Sequence, residues 1–231
     1  MESIVLVTIK EWNIENYFLL KANYKHKFNF HLITSKEELT LEKIRDISPK
    51  YIFFPHWSWI IEENIYKEFE CIVFHMTDLP YGRGGSPLQN LIVEEIYDTK
   101  VSAIKVSKEL DAGKIYLKDD FNISTGSAEE IFIKLSNLIF LKMIPNLLIN
   151  NVRPKKQLGA VTKFERRQKE DSNLTSIKTI NLNKLYDFIR MLDAEGYPKA
   201  YLIIDTLKIE FNEVQLKDKK LLGRFEIKKN D

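Results

Sequence analysis

The chain has 231 residues, enough for one large domain or for one domain and a small appendage. Its 35 Lys and Arg against 33 Asp and Glu leave a net charge of +2, which argues against a nucleic-acid binder built on one basic face, and 44% hydrophobic residues argue against a disordered chain. The single cysteine, Cys71, excludes an intramolecular disulfide framework and a cysteine-based zinc site.

No run of 18 apolar residues occurs, and MESIVLVTIKEW has neither a basic n-region nor a small-residue cleavage site. The expectation is therefore no membrane contact, no signal peptide and a soluble protein of a reducing, cytoplasmic compartment.

The first half alternates β-rich runs with helical stretches. Strands are expected over 3–9, 28–34, 51–54 and 70–74, and helices over 12–22, 37–47 and 60–69. That order implies right-handed βαβ units and a mostly parallel sheet, with ligands outside the carboxyl ends of the strands. Two loops lie at such ends, Pro55–Trp59 and His75–Pro87.

A helix over about 88–96 follows, then strands over 100–106 and 114–118. Ser127 and Glu130 form an S-x-x-E capping box that opens a long apolar helix to about Met143, with Pro145 near its end. The polar, basic stretch NNVRPKK reads as a boundary, which divides the chain into 1–150 and a small α+β subdomain over 151–231. In the latter a helix is expected over 182–192 and strands over 200–204 and 208–211.

Four histidines are present. His26 lies in a charged stretch and His31 inside a strand, and neither asks for more than a structural role. His56 opens HWSW at a strand end, where structure and function are equally served. His75 ends ECIVF beside a flexible loop, the place for a general base.

That loop, PYGRGGSP, carries Gly82, Gly84 and Gly85, which permit close backbone approach to a ligand. It is neither a dinucleotide fingerprint nor a P-loop. Arg83 within it suits a phosphate or solvent equally. Asp111, in SKELDAG, is a turn residue or a carboxylate partner. No metal-ligand pair at helical spacing and no G-x-S-x-G elbow occur, so no metal is expected. Spacing alone leads to an α/β enzyme with one catalytic His and one Asp.

FHMTDLPYGRGGSPLQN, followed by SKELDAGKI, resembles the formyltransferase family that uses 10-formyltetrahydrofolate. The family pattern is Asn-x-His, Ser-Leu-Leu-Pro, Arg-Gly and later Leu-Asp-x-Gly. His75 falls on its catalytic His, Thr77 on the Ser, Pro80 on the Pro, Arg83 and Gly84 on Arg-Gly, and Leu110 to Gly113 on the last motif. The Asn two residues before the His is Val73 here, so another group must steady the developing oxyanion, with His56, Thr77 and Gln89 as candidates.

The resemblance implies a Rossmann-like α/β fold, with a mostly parallel sheet and flanking helices, plus the small C-terminal subdomain. It makes His75 and Asp111 catalytic. It places the folate against Trp57 and Val106, Ser107, Lys108, Glu109, Leu110 and Asp111. It places the acceptor against Tyr81, Gly82, Arg83, Gly84 and Gly85, with Arg83 or the pair Arg166 and Arg167 near a diphosphate, the pair being otherwise expected to face solvent.

HWSWII, FERRQKEDS and LYDFIRMLDAEGYPKAY resemble the sugar-nucleotide branch. The acceptor implied is a UDP-linked 4-amino-4,6-dideoxy acetamido hexose of L-altrose configuration, of the pseudaminic-acid type used in glycan biosynthesis. A dTDP-linked 4-amino-4,6-dideoxy hexose, a carrier-bound aminoacyl group and hydrolysis of the formylfolate are the alternatives. No nucleic-acid or membrane partner is expected, and the protein is read as a monomer or a homodimer.

Overall fold

The computed structural model describes residues 1–230. β1 (Glu2–Val7), α1 (Glu11–Tyr24), β2 (Phe28–Ile33), α2 (Leu41–Ile47), β3 (Tyr51–Phe54), α3 (Glu63–Glu68) and β4 (Cys71–His75) alternate as the hydrophobic pattern requires. β1 pairs in parallel with β2 and β3, and β3 in parallel with β4. Ile4 to Val7 are fully buried, as a central strand covered on both faces demands. α2 starts four residues later than its apolar spacing suggests, because Thr40 is the N-cap and its hydroxyl accepts from the Lys43 amide at 3.2 Å.

β5 (Arg83–Gly84), α4 (Pro87–Val93), β6 (Asp98–Lys105) and β7 (Ile115–Asn122) follow. The main sheet runs β2-β1-β3-β4-β6-β7, with β6 antiparallel to β4. α5 (Ala128–Leu138) opens on the expected capping box: the Glu130 amide donates to the Ser127 hydroxyl at 3.2 Å and the Ser127 amide donates to the Glu130 carboxylate at 2.8 Å.

Beyond α5 the helix widens into a π turn over Ile139–Met143 and continues as α6 (Ile144–Ile149). Pro145 has no N–H and its ring crowds the carbonyl four residues back, and the wider turn admits it without ending the helix. The continuous 22-residue stretch Ala128–Ile149 is long and apolar enough to cross a membrane by length and composition alone, but 61% of its most apolar window is buried inside the fold, as in a core helix.

The chain divides into two compact units. The first comprises Met1–Arg83, Lys100–Phe121 and Ile133–Lys163, and holds the parallel strands. The second comprises Gly84–Thr99, Asn122–Phe132 and the described chain from Phe164. Its later elements, after β8 (Lys163–Phe164), are α7 (Leu182–Arg190), β9 (Ala200–Ile204), β10 (Leu207–Lys217) and β11 (Lys220–Lys229). The last three form an antiparallel sheet in the order β11-β10-β9.

Asn181 caps α7 by accepting from the Lys184 amide at 2.9 Å. Arg190 is buried in the second unit, where it donates to the Ile123 and Gly126 carbonyls at 3.0 Å and to Asp187 at 2.6 Å. A guanidinium survives there because most of its donors are paired.

Candidate active site

β4 ends at His75, and the two-residue period of a strand puts Val73 and His75 on one face. The His75 side chain is 9% exposed. Its Nε2 lies 2.7 Å from the Gly82 carbonyl oxygen and its Nδ1 lies 3.6 Å from Asp111 Oδ2. A carbonyl only accepts, so Nε2 carries a proton in this arrangement and donates it to Gly82. The Thr77 hydroxyl donates to the same carbonyl at 3.4 Å. The two motifs that stand apart in the sequence therefore meet on one imidazole.

Asp111 adopts a left-handed backbone conformation, φ 53°, which is uncommon outside glycine. Gly113 is required by close approach, since a Cβ there would lie 1.6 Å from the Lys105 carbonyl oxygen. The Gln157 side-chain amide donates to the Asp111 carbonyl at 2.7 Å and to the Gly113 carbonyl at 2.9 Å. Its oxygen accepts from Arg83 Nε at 3.1 Å and Nη2 at 2.8 Å.

Thr162 accepts from the Gly82 amide at 2.6 Å. Neither Gln157 nor Thr162 was singled out from the sequence, and no local motif marks them: they lie in the irregular segment after α6, whose contacts span tens of residues.

Trp57 sits among aromatic rings, 4.7 Å from Trp59 and 6.2 Å from Phe54 between centroids. Trp57, Val73 and Val106 all pack on one apolar cluster that includes Phe54 and Cys71. Val73 thus replaces a polar side chain with one that continues this apolar wall. The Trp57 indole N–H is buried and has no hydrogen-bond partner among the described residues. An orphaned buried donor of this kind suits a polar ligand edge.

The Val106 amide is already committed to the Cys71 carbonyl at 2.8 Å, and the Ser107 hydroxyl donates to the Glu109 carbonyl at 2.9 Å. Lys108, Glu109 and Leu110 are exposed, and Tyr81 is half-buried.

His56 has φ 52°, meets the Trp12 ring edge-on at 6.0 Å, and is pushed down to about 4 by burial, with the Lys10 charge adding to the effect. Gln89 lies in the second unit, where its amide donates to the Met191 carbonyl at 3.0 Å. His31 lies on edge strand β2 within 3.0 Å of Asn29, and His26 is exposed.

Gly84 and Gly85 also belong to the second unit. Gly84, at φ 112°, presses on Phe164: a Cβ would lie 2.2 Å from the Phe164 carbonyl oxygen. Arg166 is exposed. Arg167 is turned inward, contrary to the expectation of a solvent-facing pair: it donates to the Asp171 carbonyl at 2.5 Å and lies 5.7 Å over the Phe188 ring, and burial pulls its guanidinium below the ordinary value.

A family model described as "Methionyl-tRNA formyltransferase, C-terminal domain" matches residues 169–228. The solved structure of the methionyl-tRNA formyltransferase from Clostridium thermocellum superposes with a TM-score of 0.96 at 47% identity, over 100% of both chains. This chain belongs to the formyltransferase family.

The methionyl-tRNA formyltransferase of Campylobacter jejuni strain 81-176 is 27% identical over 201 residues, and the match takes in 86% of this chain but 63% of that relative's length. More distant formyltransferase-like folds include a 4-N formyltransferase from Francisella tularensis, with a TM-score of 0.69 at 17% identity over 88% of this chain and 93% of that one. HypX from Aquifex aeolicus in complex with tetrahydrofolic acid superposes with a TM-score of 0.72 at 14% identity, over 94% of this chain and 39% of that chain. These last two likenesses bear on the fold alone.

Proposed function

We propose that this formyltransferase-family chain moves the formyl group of 10-formyltetrahydrofolate to the primary amine of a nucleotide-linked 4-amino-4,6-dideoxy sugar in the cytoplasm. A UDP-linked acetamido sugar is its foremost acceptor, and a dTDP-linked 4-amino hexose is the close variant. The observation that carries the reading is the imidazole of His75, poised between the Asp111 carboxylate and a backbone carbonyl at the end of a buried strand.

The folate supplies an activated formyl carbon. Everything else falls to the protein. Once the attacking amine displaces the Gly82 carbonyl, the single imidazole proton moves from Nε2 to Nδ1, where the Asp111 carboxylate faces it, and the bare Nε2 takes the proton of the amine. His75 then returns the proton to the departing nitrogen.

Trp57, Val73 and Val106 form an apolar wall for the folate ring, and the Trp57 N–H offers it a buried donor. Thr77, whose hydroxyl already points at the Gly82 carbonyl beside His75, is the best placed of the three candidates to meet the oxyanion that Val73 cannot. His56 and Gln89 are held elsewhere.

A sugar acceptor is supported by the near balance of charge, 35 Lys and Arg against 33 Asp and Glu, since a polyphosphate partner favours a strong basic excess. Methionyl-tRNA is the second reading, favoured by the 47% identity to the Clostridium thermocellum protein and by the C-terminal family model. Competition between a UDP-linked 4-amino sugar and charged initiator tRNA, each with 10-formyltetrahydrofolate, decides between them. Formylation of the sugar alone supports the proposal, and formylation of the tRNA alone replaces it.

A further inference from the structure

We infer that Gln157 is a positioning residue for the reaction, a clasp that holds the Asp111 loop and the Arg83 loop in one register around His75. The inference rests on the proposed transfer for its kinetic consequence but not for its geometry. All four hydrogen-bonding capacities of the Gln157 amide are engaged: two N–H groups on the Asp111 and Gly113 carbonyls, and two lone pairs on Arg83 Nε and Nη2. A surface glutamine whose role was only solvation would not be saturated in this way.

Other bonds also hold these segments, among them the Arg83 amide to the Thr162 carbonyl at 3.1 Å and Arg83 Nη1 to Glu109 at 3.5 Å, but the Gln157 amide binds the Asp111–Gly113 backbone and the Arg83 guanidinium at once. Asp111 is a non-glycine residue in the left-handed region, a conformation that persists only where its surroundings over-determine it. Lys108, Glu109 and Leu110 just before it are exposed. The bond from Gln157 to the Asp111 carbonyl acts on the backbone of the strained residue itself.

On the other side, Arg83 follows Gly82, whose carbonyl engages His75 Nε2, so the anchor on the Arg83 guanidinium also limits where that carbonyl can go. The Asp111 Oδ2 to His75 Nδ1 distance of 3.6 Å is already at the outer edge of an effective contact, and a slip of the loop would lose it. Gln157 touches neither the imidazole nor the carboxylate. It acts through the backbone that presents them.

The chemistry of the amide separates its two halves. Gln157→Glu keeps the acceptor for Arg83 but sets a carboxylate oxygen against two carbonyls, which releases the Asp111 loop. Gln157→Lys keeps donors for those carbonyls but sets a cation against the guanidinium, which releases the Arg83 loop. Gln157→Met fills the same volume and releases both.

The test measures formyl transfer from 10-formyltetrahydrofolate to a UDP-linked 4-amino sugar, and amide hydrogen exchange across 105–115 and 80–85, in the full chain. Gln157→Glu should lower kcat on the order of 100-fold, with little change in the folate KM, because a small misplacement of a catalytic group costs that much. It should also speed exchange across 105–115 while 80–85 stays as in the wild type. Gln157→Lys should show the reverse pattern of exchange.

Unchanged exchange in Gln157→Glu, or a kcat within about twofold of wild type, overturns the clasp. If wild-type protein formylates no amine while the exchange patterns still separate, the clasp stands and the proposed reaction falls. A uniform rise of exchange throughout both units in all three variants marks a merely structural residue and also overturns it.

Discussion

The Gly82 carbonyl oxygen lies 2.7 Å from His75 Nε2, the atom that the proposed reaction needs for proton transfer. The ring faces an acceptor on each side, the Gly82 carbonyl at Nε2 and the Asp111 carboxylate at Nδ1. An imidazole held this way is oriented before any substrate arrives. The same carbonyl must yield to the incoming amine, so the Pro80–Gly85 loop takes part in the reaction cycle by releasing Nε2.

Loss of the imidazole is the most direct consequence. His75→Asn should retain the fold and lower transfer by at least on the order of 100- to 10,000-fold, the contribution of a positioned general acid–base. Asp111→Asn should lower kcat by a comparable order and leave folate binding in place. Steady-state kinetics with a fluorescence titration of the folate check both.

Val73 separates the oxyanion question from the packing question. Because it packs with Trp57 and Val106 on the apolar cluster, Val73→Asn should leave turnover no higher and cost about 1–3 kcal/mol for a poorly partnered amide. Urea denaturation and turnover on the same preparation read the two effects. A tenfold gain in turnover would show that no other group serves the oxyanion.

Gly113 tests the close approach beside Asp111. Gly113→Ala places a Cβ where the Lys105 carbonyl already stands, so the loop must shift and the Lys105 amide to Lys114 carbonyl bond of 2.9 Å must open. The expected result is a loss of transfer together with a lower melting temperature. Wild-type values of both would contradict the geometry.

His56 gives the pH dependence. Its folded value is pushed down to about 4 by burial, below the unfolded value near 6.5, so the unfolded chain binds the extra proton first. The contribution to stability is whole above pH 6.5 and is lost progressively as the pH falls toward 4. His56→Asn tolerates the same left-handed backbone and removes the titration. The difference in urea midpoint between the two proteins should therefore change with pH in that window and be flat above it.

Cys71 is 1% exposed, and burial, with Glu70 adding to the effect, pushes its thiol up to about 12. An aromatic disulfide reagent at pH 8 should label it only on unfolding. Rapid labelling of native protein would mean that the strand carrying His75 opens locally.

Much of the fold was legible where a segment follows a strong local pattern. β3 and β9 begin and end where Tyr51–Phe54 and Ala200–Ile204 suggested, and the Ser127–Glu130 box marked the start of α5. Three features were not. The helix begun by α5 continues through Pro145 as α6 because the π turn between them absorbs it, a rearrangement no window of residues announces. β7 runs on to Asn122 through Asp119 and Asp120, whose charges hide a strand that is half-buried from Ile115 to Asp119 and has no buried residue.

β11 is so polar and exposed that it is recognisable mainly by its pairing with β10. At the site, His75, Asp111 and Gly82 carry motif signals. Gln157 and Thr162 do not, because their role lies in hydrogen bonds to backbone 46 and 80 residues away. The inward turn of Arg167 likewise depends on Asp171 and Phe188, which its neighbouring sequence does not distinguish from solvated charge.

The central claim is the transfer itself. The protein should be incubated with 10-formyltetrahydrofolate and a panel of UDP- and dTDP-linked 4-amino sugars, and the products weighed by mass spectrometry. We expect a gain of one carbonyl unit on the UDP-linked acetamido sugar, absent with His75→Asn. No gain on any sugar, with the folate consumed to formate or the formyl group found on charged tRNA instead, would contradict the proposed function.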